Sequence, residues 1–151
     1  RSPVEVTGMV MAGRPMMGKK IIHSMRIIHL EDSVDKHMEV CRELRKMGIT
    51  SVEWATSVGE GLEKIETAIQ NGAPFDLAIS DMHYPIRRGE IADWEAGEYF
   101  LKALAERNIN LPVIICSTRN YRIPGAYGSV WFSDLSDWEM DLRNLINGLG
   151  K

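Results

Sequence analysis

An alternation of short apolar runs with amphipathic stretches organises residues 25–149. "MRIIHL" (25–30) is a β-branched run that stops at Glu31-Asp32, and Ser33 then caps a helix through "VDKHMEVCRELRKM" to Gly48. "SVEWAT" (51–56) predicts a second strand, and "SVGE" (57–60) is a capping box for a helix that runs to about Gln70, where Asn71-Gly72 stops it. "FDLAIS" (75–80) is apolar on both faces apart from Asp76, the pattern of a central parallel strand. An Arg-rich loop with Pro85 and Gly89 leads to a helix over 94–107 that turns Tyr99, Leu101 and Leu104 to the core. "LPVIICS" (111–117) and "AYGSVWF" (126–132) predict strands four and five. "SDWE" (136–139) is a second capping box, opening a last helix that runs to Gly148.

Five strands alternating with helices require a parallel sheet covered on both faces. Right-handed crossovers make the expected fold class α/β, a doubly wound five-stranded parallel sheet. Residues 1–24, "RSPVEVTGMVMAGRPMMGKKIIHS", are rich in Gly, Pro and Met and carry no sustained period. They are expected to be a leader or an expression-derived tail outside the core, with the folded domain spanning 25–149.

Composition narrows the function classes. A chain of 151 residues with 44% hydrophobic and 26% charged residues has the size and balance of one globular domain. No apolar run approaches the roughly 20 residues needed to cross a bilayer. A net charge of -3 argues against direct nucleic-acid binding, which relies on clustered Lys and Arg. Cys41 and Cys116 lie within apolar patterns and read as buried free thiols, in keeping with a reducing, cytoplasmic setting. His23, His29, His37 and His83 lack the paired spacing of a zinc site and read as structural or surface residues.

In such a sheet the carboxyl ends of the strands share one edge, where ligands bind. With strand order 2-1-3-4-5, Glu31 and Asp32 at the end of strand one neighbour Asp81 at the end of strand three, and Ser117-Thr118 end strand four beside them. Three clustered carboxylates repel one another unless a cation joins them, and oxygen-only ligands with room for water and phosphate suit Mg²⁺. A carboxylate beside Mg²⁺ can attack a phosphoryl group, which makes Asp81 a candidate nucleophile.

These residues resemble the response-regulator receiver domain of two-component signalling. The resemblance is carried by "RIIHLEDS", "FDLAISDMHYP", "AGEYFLKAL" and "LPVIICST", and covers about residues 25–147. It implies a flavodoxin-like receiver fold with Asp81 as phosphoacceptor and Glu31, Asp32, Asp81 and the backbone carbonyl of His83 holding Mg²⁺. Ser117 is then the hydroxyl that hydrogen-bonds the phosphate and moves with it. The implied partners are a histidine kinase or phosphotransfer protein, and an output partner in trans or a further domain, with neither nucleic acid nor membrane bound directly. The domain is thus expected to be a phospho-accepting signalling module and not an enzyme, although self-catalysed phosphotransfer and dephosphorylation lie within its chemistry.

The sequence also departs from the family. "IRRGEIADWEA" (86–96) lengthens the loop before Gly97, and the short connection after Ser117, with Pro124, predicts a reduced or lost fourth helix. The family ends strand five with a lysine, but here the register gives "WFSDL" and no lysine occurs between Lys102 and Lys151. Ser133 best matches the lost lysine, with Phe132 and Asp134 as alternatives; the switch aromatic falls at Val130 or Trp131. The site is therefore expected to lack its fixed cation, with Arg119, Arg87 and Arg88 as candidates to compensate. Coupling to strand five is expected to be weak, and the signal to leave through Ser117 and the Arg87-Arg88 loop.

Two functions remain in view: an atypical receiver phosphorylated on Asp81, and a pseudo-receiver binding module that does not depend on phosphorylation. A flavodoxin-like cofactor protein is disfavoured by the acidic "LEDSVD" where a phosphate cradle would stand, and a hydrolase by the absence of G-x-S-x-G.

Overall fold

A computed structural model describes residues 21–150. Of the leader expected over residues 1–24, residues 1–20 lie outside the described residues. One turn of 3-10 helix, Ile22–Ser24, precedes the first strand, and Ile22 packs against the core. The elements then run β1 (Arg26–Leu30), α1 (Val34–Lys46), β2 (Ser51–Ala55), α2 (Val58–Gln70) and β3 (Leu77–Ser80). A two-residue pair follows, β4 (Tyr84–Pro85) and β5 (Ala92–Asp93), and then α3 (Ala96–Glu106), β6 (Val113–Ser117), β7 (Gly128–Trp131) and α4 (Trp138–Leu149).

The main sheet has the order β2-β1-β3-β6-β7, with every neighbouring pair parallel. This is the 2-1-3-4-5 order that the receiver resemblance implies; the alternation alone called for a parallel sheet covered on both faces. Side chains alternate across the strands, so each face has its own core. Ile28, Leu30, Ala78, Val113 and Ile115 pack with Leu62 and Ile65 of α2 and Phe100 and Leu104 of α3. Ile27, Leu77, Ile79, Ile114 and Cys116 pack with Val40 and Leu44 of α1 and Leu142 and Ile146 of α4. Each such buried aliphatic contributes on the order of 1.5–3 kcal/mol. Strands β1 and β3 are thereby held on both faces, and can carry acids that are costly to bury at their ends.

Helix starts follow the capping signals in two of three cases. Ser33 accepts from the Lys36 amide at 3.3 Å and Ser57 from the Glu60 amide at 3.1 Å. At α4 the cap is Asp137, one residue beyond the expected Ser136, whose hydroxyl instead donates to the Trp131 carbonyl. Helix α3 begins at Ala96, because residues 92–93 pair with 84–85 and the preceding loop becomes a small hairpin. Phe100, Ala103 and Leu104 face inward and Tyr99 is exposed, contrary to the expectation that it faces the core. No helix lies between β6 and β7 among the described residues, in line with the expected loss. Cys116 is buried as expected, whereas Cys41 is only half-buried.

Candidate functional site

The carboxyl edge of the sheet gathers the acids. Glu31 and Asp32 follow β1, Asp81 follows β3, and carboxylate oxygens from the three lie within 4.8 Å of one another. Their exposures differ in a way that separates their roles: the Glu31 side chain is 1% exposed and that of Asp81 12%, while Asp32 is open to solvent. Glu31 is a buried wall, and Asp81 is the acid in the core that an incoming group can still reach. The all-oxygen donor set fits a hard divalent cation.

Glu31 is tied into the first turn of α1. Its Oε2 accepts from the Ser33 amide at 3.1 Å, and its Oε1 faces the Lys36 ammonium at 2.8 Å. Burial raises the Glu31 pKa to about 7, with Asp81 pushing the same way and Lys36 and the Ser33 amide opposing.

Lys36 was not singled out in the sequence, yet it is the cation the fold brings to Asp81. Its Nζ lies 3.3 Å from Asp81 Oδ1 and donates to the Cys116 carbonyl at 2.6 Å, with the side chain 6% exposed. Burial pulls its pKa down, but Cys116, Glu31 and Asp81 around it more than restore it, so the net shift is upward. The Phe132 ring centroid is 5.5 Å from this ammonium. Phe132, one of the three positions considered for the family's lysine, thus has its side chain near the pocket. Ser133 instead accepts from the Leu135 amide at 3.0 Å. The expectation that the site lacks a fixed cation is corrected: the ammonium enters from α1. The available signal was the spacing in "EDSVDK", which puts Lys36 on the capped first turn just after the acids. Spacing alone did not say which way the side chain turns.

The arginines named as substitutes have other partners. Arg87 pairs with Glu90 at 3.7 Å and Arg88 with Glu60 at 3.9 Å, both well exposed. The Arg119 guanidinium lies 4.6 Å from the Trp94 ring centroid.

Asp81 Oδ1 also accepts from the Met82 amide at 2.7 Å. Gly97 at the start of α3 lets that helix sit close: a Cβ there would stand 2.8 Å from the Asp81 carbonyl and 2.5 Å from Met82 Sδ. Ser117 ends β6, is buried, and its Oγ accepts from the Arg119 amide at 3.3 Å. His83 stacks on Trp94 at 3.9 Å. Behind the site, the buried Tyr84 hydroxyl is 2.8 Å from Ser80 Oγ. Of the two positions considered for the switch aromatic, Val130 is buried, and Trp131 donates its indole N–H to the Thr118 carbonyl at 3.0 Å.

Comparison with solved structures matches this fold across most of the chain. One match is a chain of the CheX-CheY-BeF3-Mg+2 complex from Borrelia burgdorferi, at TM-score 0.64 and 17% identity, covering 84% of this chain and 90% of that one. Another is the receiver domain of the Francisella response regulator 1452, at TM-score 0.62 and 20% identity over 84% and 97%. The fold is that of a receiver domain. A further receiver fold, from the Pseudomonas fluorescens HD domain-containing protein, aligns at TM-score 0.60 and 14% identity over 83% of this chain and 93% of that one. No family model matches the chain. Among curated proteins, the uncharacterized protein y4jS of Sinorhizobium fredii is 34% identical over 91 residues, which is 58% of this chain and 21% of that protein's length. The chain therefore matches only about a fifth of that relative. Among the described residues, no helix is long and apolar enough to cross a membrane.

Proposed function

We propose that the protein is a receiver module that accepts a phosphoryl group on Asp81 with Mg²⁺ and signals through protein contacts. The observation that carries this reading is the asymmetry of the Asp81 carboxylate. Oδ1 is engaged by the Met82 amide and Lys36, while among the described residues no hydrogen bond is formed to Oδ2. One oxygen is anchored and the other is free to attack.

With a phosphohistidine donor, Oδ2 forms the new O–P bond as the P–N bond breaks, and the imidazole leaves with the electron pair and takes a proton from solvent. Glu31, Asp32, Asp81 and the His83 carbonyl are the residues that would hold Mg²⁺. When bound, the ion offsets the charge on the phosphoryl oxygens. The chain's own contribution is to hold Asp81 through the Met82 amide, and to oppose with Lys36 the rise that burial imposes on the Glu31 pKa. Ser117, at the neighbouring strand end, offers a hydroxyl to a phosphoryl oxygen. A histidine kinase or a phosphotransfer protein is the donor class that fits, and the output is a protein partner or another domain.

The test is incubation with acetyl phosphate and Mg²⁺, read by intact mass. Wild-type protein should gain one phosphoryl group and Asp81→Asn none. A wild-type chain that stays unmodified with acetyl phosphate and with a histidine-phosphorylated donor overturns this reading in favour of a phosphorylation-independent binding module.

A further inference from the structure

Lys36 belongs to a closed circuit of contacts that joins the acidic pocket to α1 and β2. Its ammonium pairs with Glu31 and Asp81. The next residue, His37, stacks on Trp54 of β2 with ring centroids 4.3 Å apart and an angle of 7°. Its Nδ1 is 2.8 Å from Nδ1 of the fully buried His29 on β1. Trp54 closes the circuit by donating its indole N–H to the Glu31 carbonyl at 2.6 Å. Any displacement of the Lys36 head group therefore pulls on a packed set of rings and not on a free side chain. On the strand-five side the Phe132 ring lies 5.5 Å from the ammonium, and among the described residues no ion pair reaches it from there.

We propose that Lys36 is the cation that pairs with the phosphoryl group on Asp81, and that its origin on α1 sends the signal into α1 and β2 in place of strand five. This rests on the reading of Asp81 as phosphoacceptor. The physical reason is charge. Before transfer the ammonium is shared between two carboxylates, and afterwards the phosphoryl oxygens, with more negative charge and within its reach, compete for it. As the head group turns to them, its hold on Glu31 weakens. The Glu31 carbonyl and the His37 ring then shift against Trp54. Receiving the phosphate and reporting it are thus joined in one side chain, at the edge of the sheet opposite β7.

The experiment uses the full chain with labelled tryptophan indoles, followed by NMR with Mg²⁺ and beryllofluoride, a mimic of the phosphorylated aspartate. Acetyl phosphate acceptance is measured in parallel by intact mass. In the wild type the Trp54 indole signal should move more than that of Trp131, which decides the route without any variant. In Lys36→Met, acceptance should slow roughly tenfold or more, the scale of one lost charge-assisted contact. Trp54 should fall silent there, while Trp94 near the site still responds at saturating beryllofluoride. In Lys36→Met/Phe132→Lys, which returns an ammonium to the pocket from the strand-five side, acceptance should recover and the response should pass to Trp131. A merely structural role for Lys36 would not move the response from one indole to the other. The inference is overturned if the phosphorylated wild type leaves Trp54 unmoved, or if Lys36→Met accepts phosphate and shifts Trp54 as the wild type does. A wild type that neither accepts phosphate nor binds beryllofluoride fails at the earlier step, and removes the reading of Asp81 as well.

Discussion

Trp94 lies flat on His83, with ring centroids 3.9 Å apart and an interplanar angle of 2°. Arg119 packs on the same indole at 4.6 Å, so the lengthened loop before α3 is pinned to residues two beyond Asp81 and two beyond Ser117. The stack bridges the two loops that border the acceptor. Trp94→Ala should cost about 1 kcal/mol of stability through the lost ring and cation contacts. It should also speed hydrolysis of the phosphorylated protein severalfold by opening the site to water. The decay of the phosphorylated mass after donor removal measures this, and an unchanged half-life would deny the stack any shielding role.

Gly97 is needed for close approach and not for an unusual backbone angle. In Gly97→Ala the new methyl meets the Asp81 carbonyl and Met82, whose backbone is held in place by β3. Overpacking of this kind costs about 1–3 kcal/mol, and Ala recovers up to about 1 kcal/mol of helix propensity. A net loss of about 1–2 kcal/mol should appear in urea unfolding, together with slower acceptance of phosphate. An Ala variant as stable as wild type would show that α3 can move away freely.

Asp32 is exposed and no ion pair or hydrogen bond of its side chain is seen among the described residues, so Asp32→Asn should leave stability within about 0.5 kcal/mol. Mg²⁺ affinity should fall roughly tenfold or more, because one anionic ligand is neutralised. Calorimetric titration of both proteins checks this. Equal affinities would place the ion elsewhere.

The His29–His37 hydrogen bond sets a pH dependence. One ring nitrogen must donate and the other accept, so the contact holds only while the acceptor is unprotonated. Burial lowers the pKa of His37 below its ordinary 6.5. A histidine depressed in the folded state contributes stability that is present above the unfolded pKa and lost as pH falls through it. Glu31 acts with the opposite sign: raised to about 7, its contribution is full at low pH and lost as pH rises through that value. Comparing wild type with His37→Gln cancels the Glu31 effect. The variant should lose less stability than wild type between pH 7.5 and pH 5.5, as read by urea midpoints. Parallel losses would assign the dependence to other groups.

The strands themselves, the acids at their ends and the missing fourth helix were legible in the sequence, because each rests on local information, whereas the order of the strands in the sheet came from the receiver resemblance. Two-sided apolar runs identify central strands, acids just after them must lie on the carboxyl edge, and ten residues with a proline between β6 and β7 leave little room for a helix. What the sequence could not show is where long side chains end up. Lys36 looks like one more surface residue on an amphipathic helix, and only the packing of α1 against β1, β3 and β6 brings its ammonium to Glu31, Asp81 and the Cys116 carbonyl. The position of Tyr99 was misjudged because the packed face of α3 runs through Gly97, Phe100, Ala103 and Leu104, which leaves Tyr99 outside it. The stack of His83, Trp94 and Arg119 unites three separate segments of the chain, a relation no local period encodes. Elements and their order follow from patterns a few residues long. The charge balance of the site was decided by tertiary packing, because a lysine's reach spans several ångströms and its direction is set by neighbours distant in sequence.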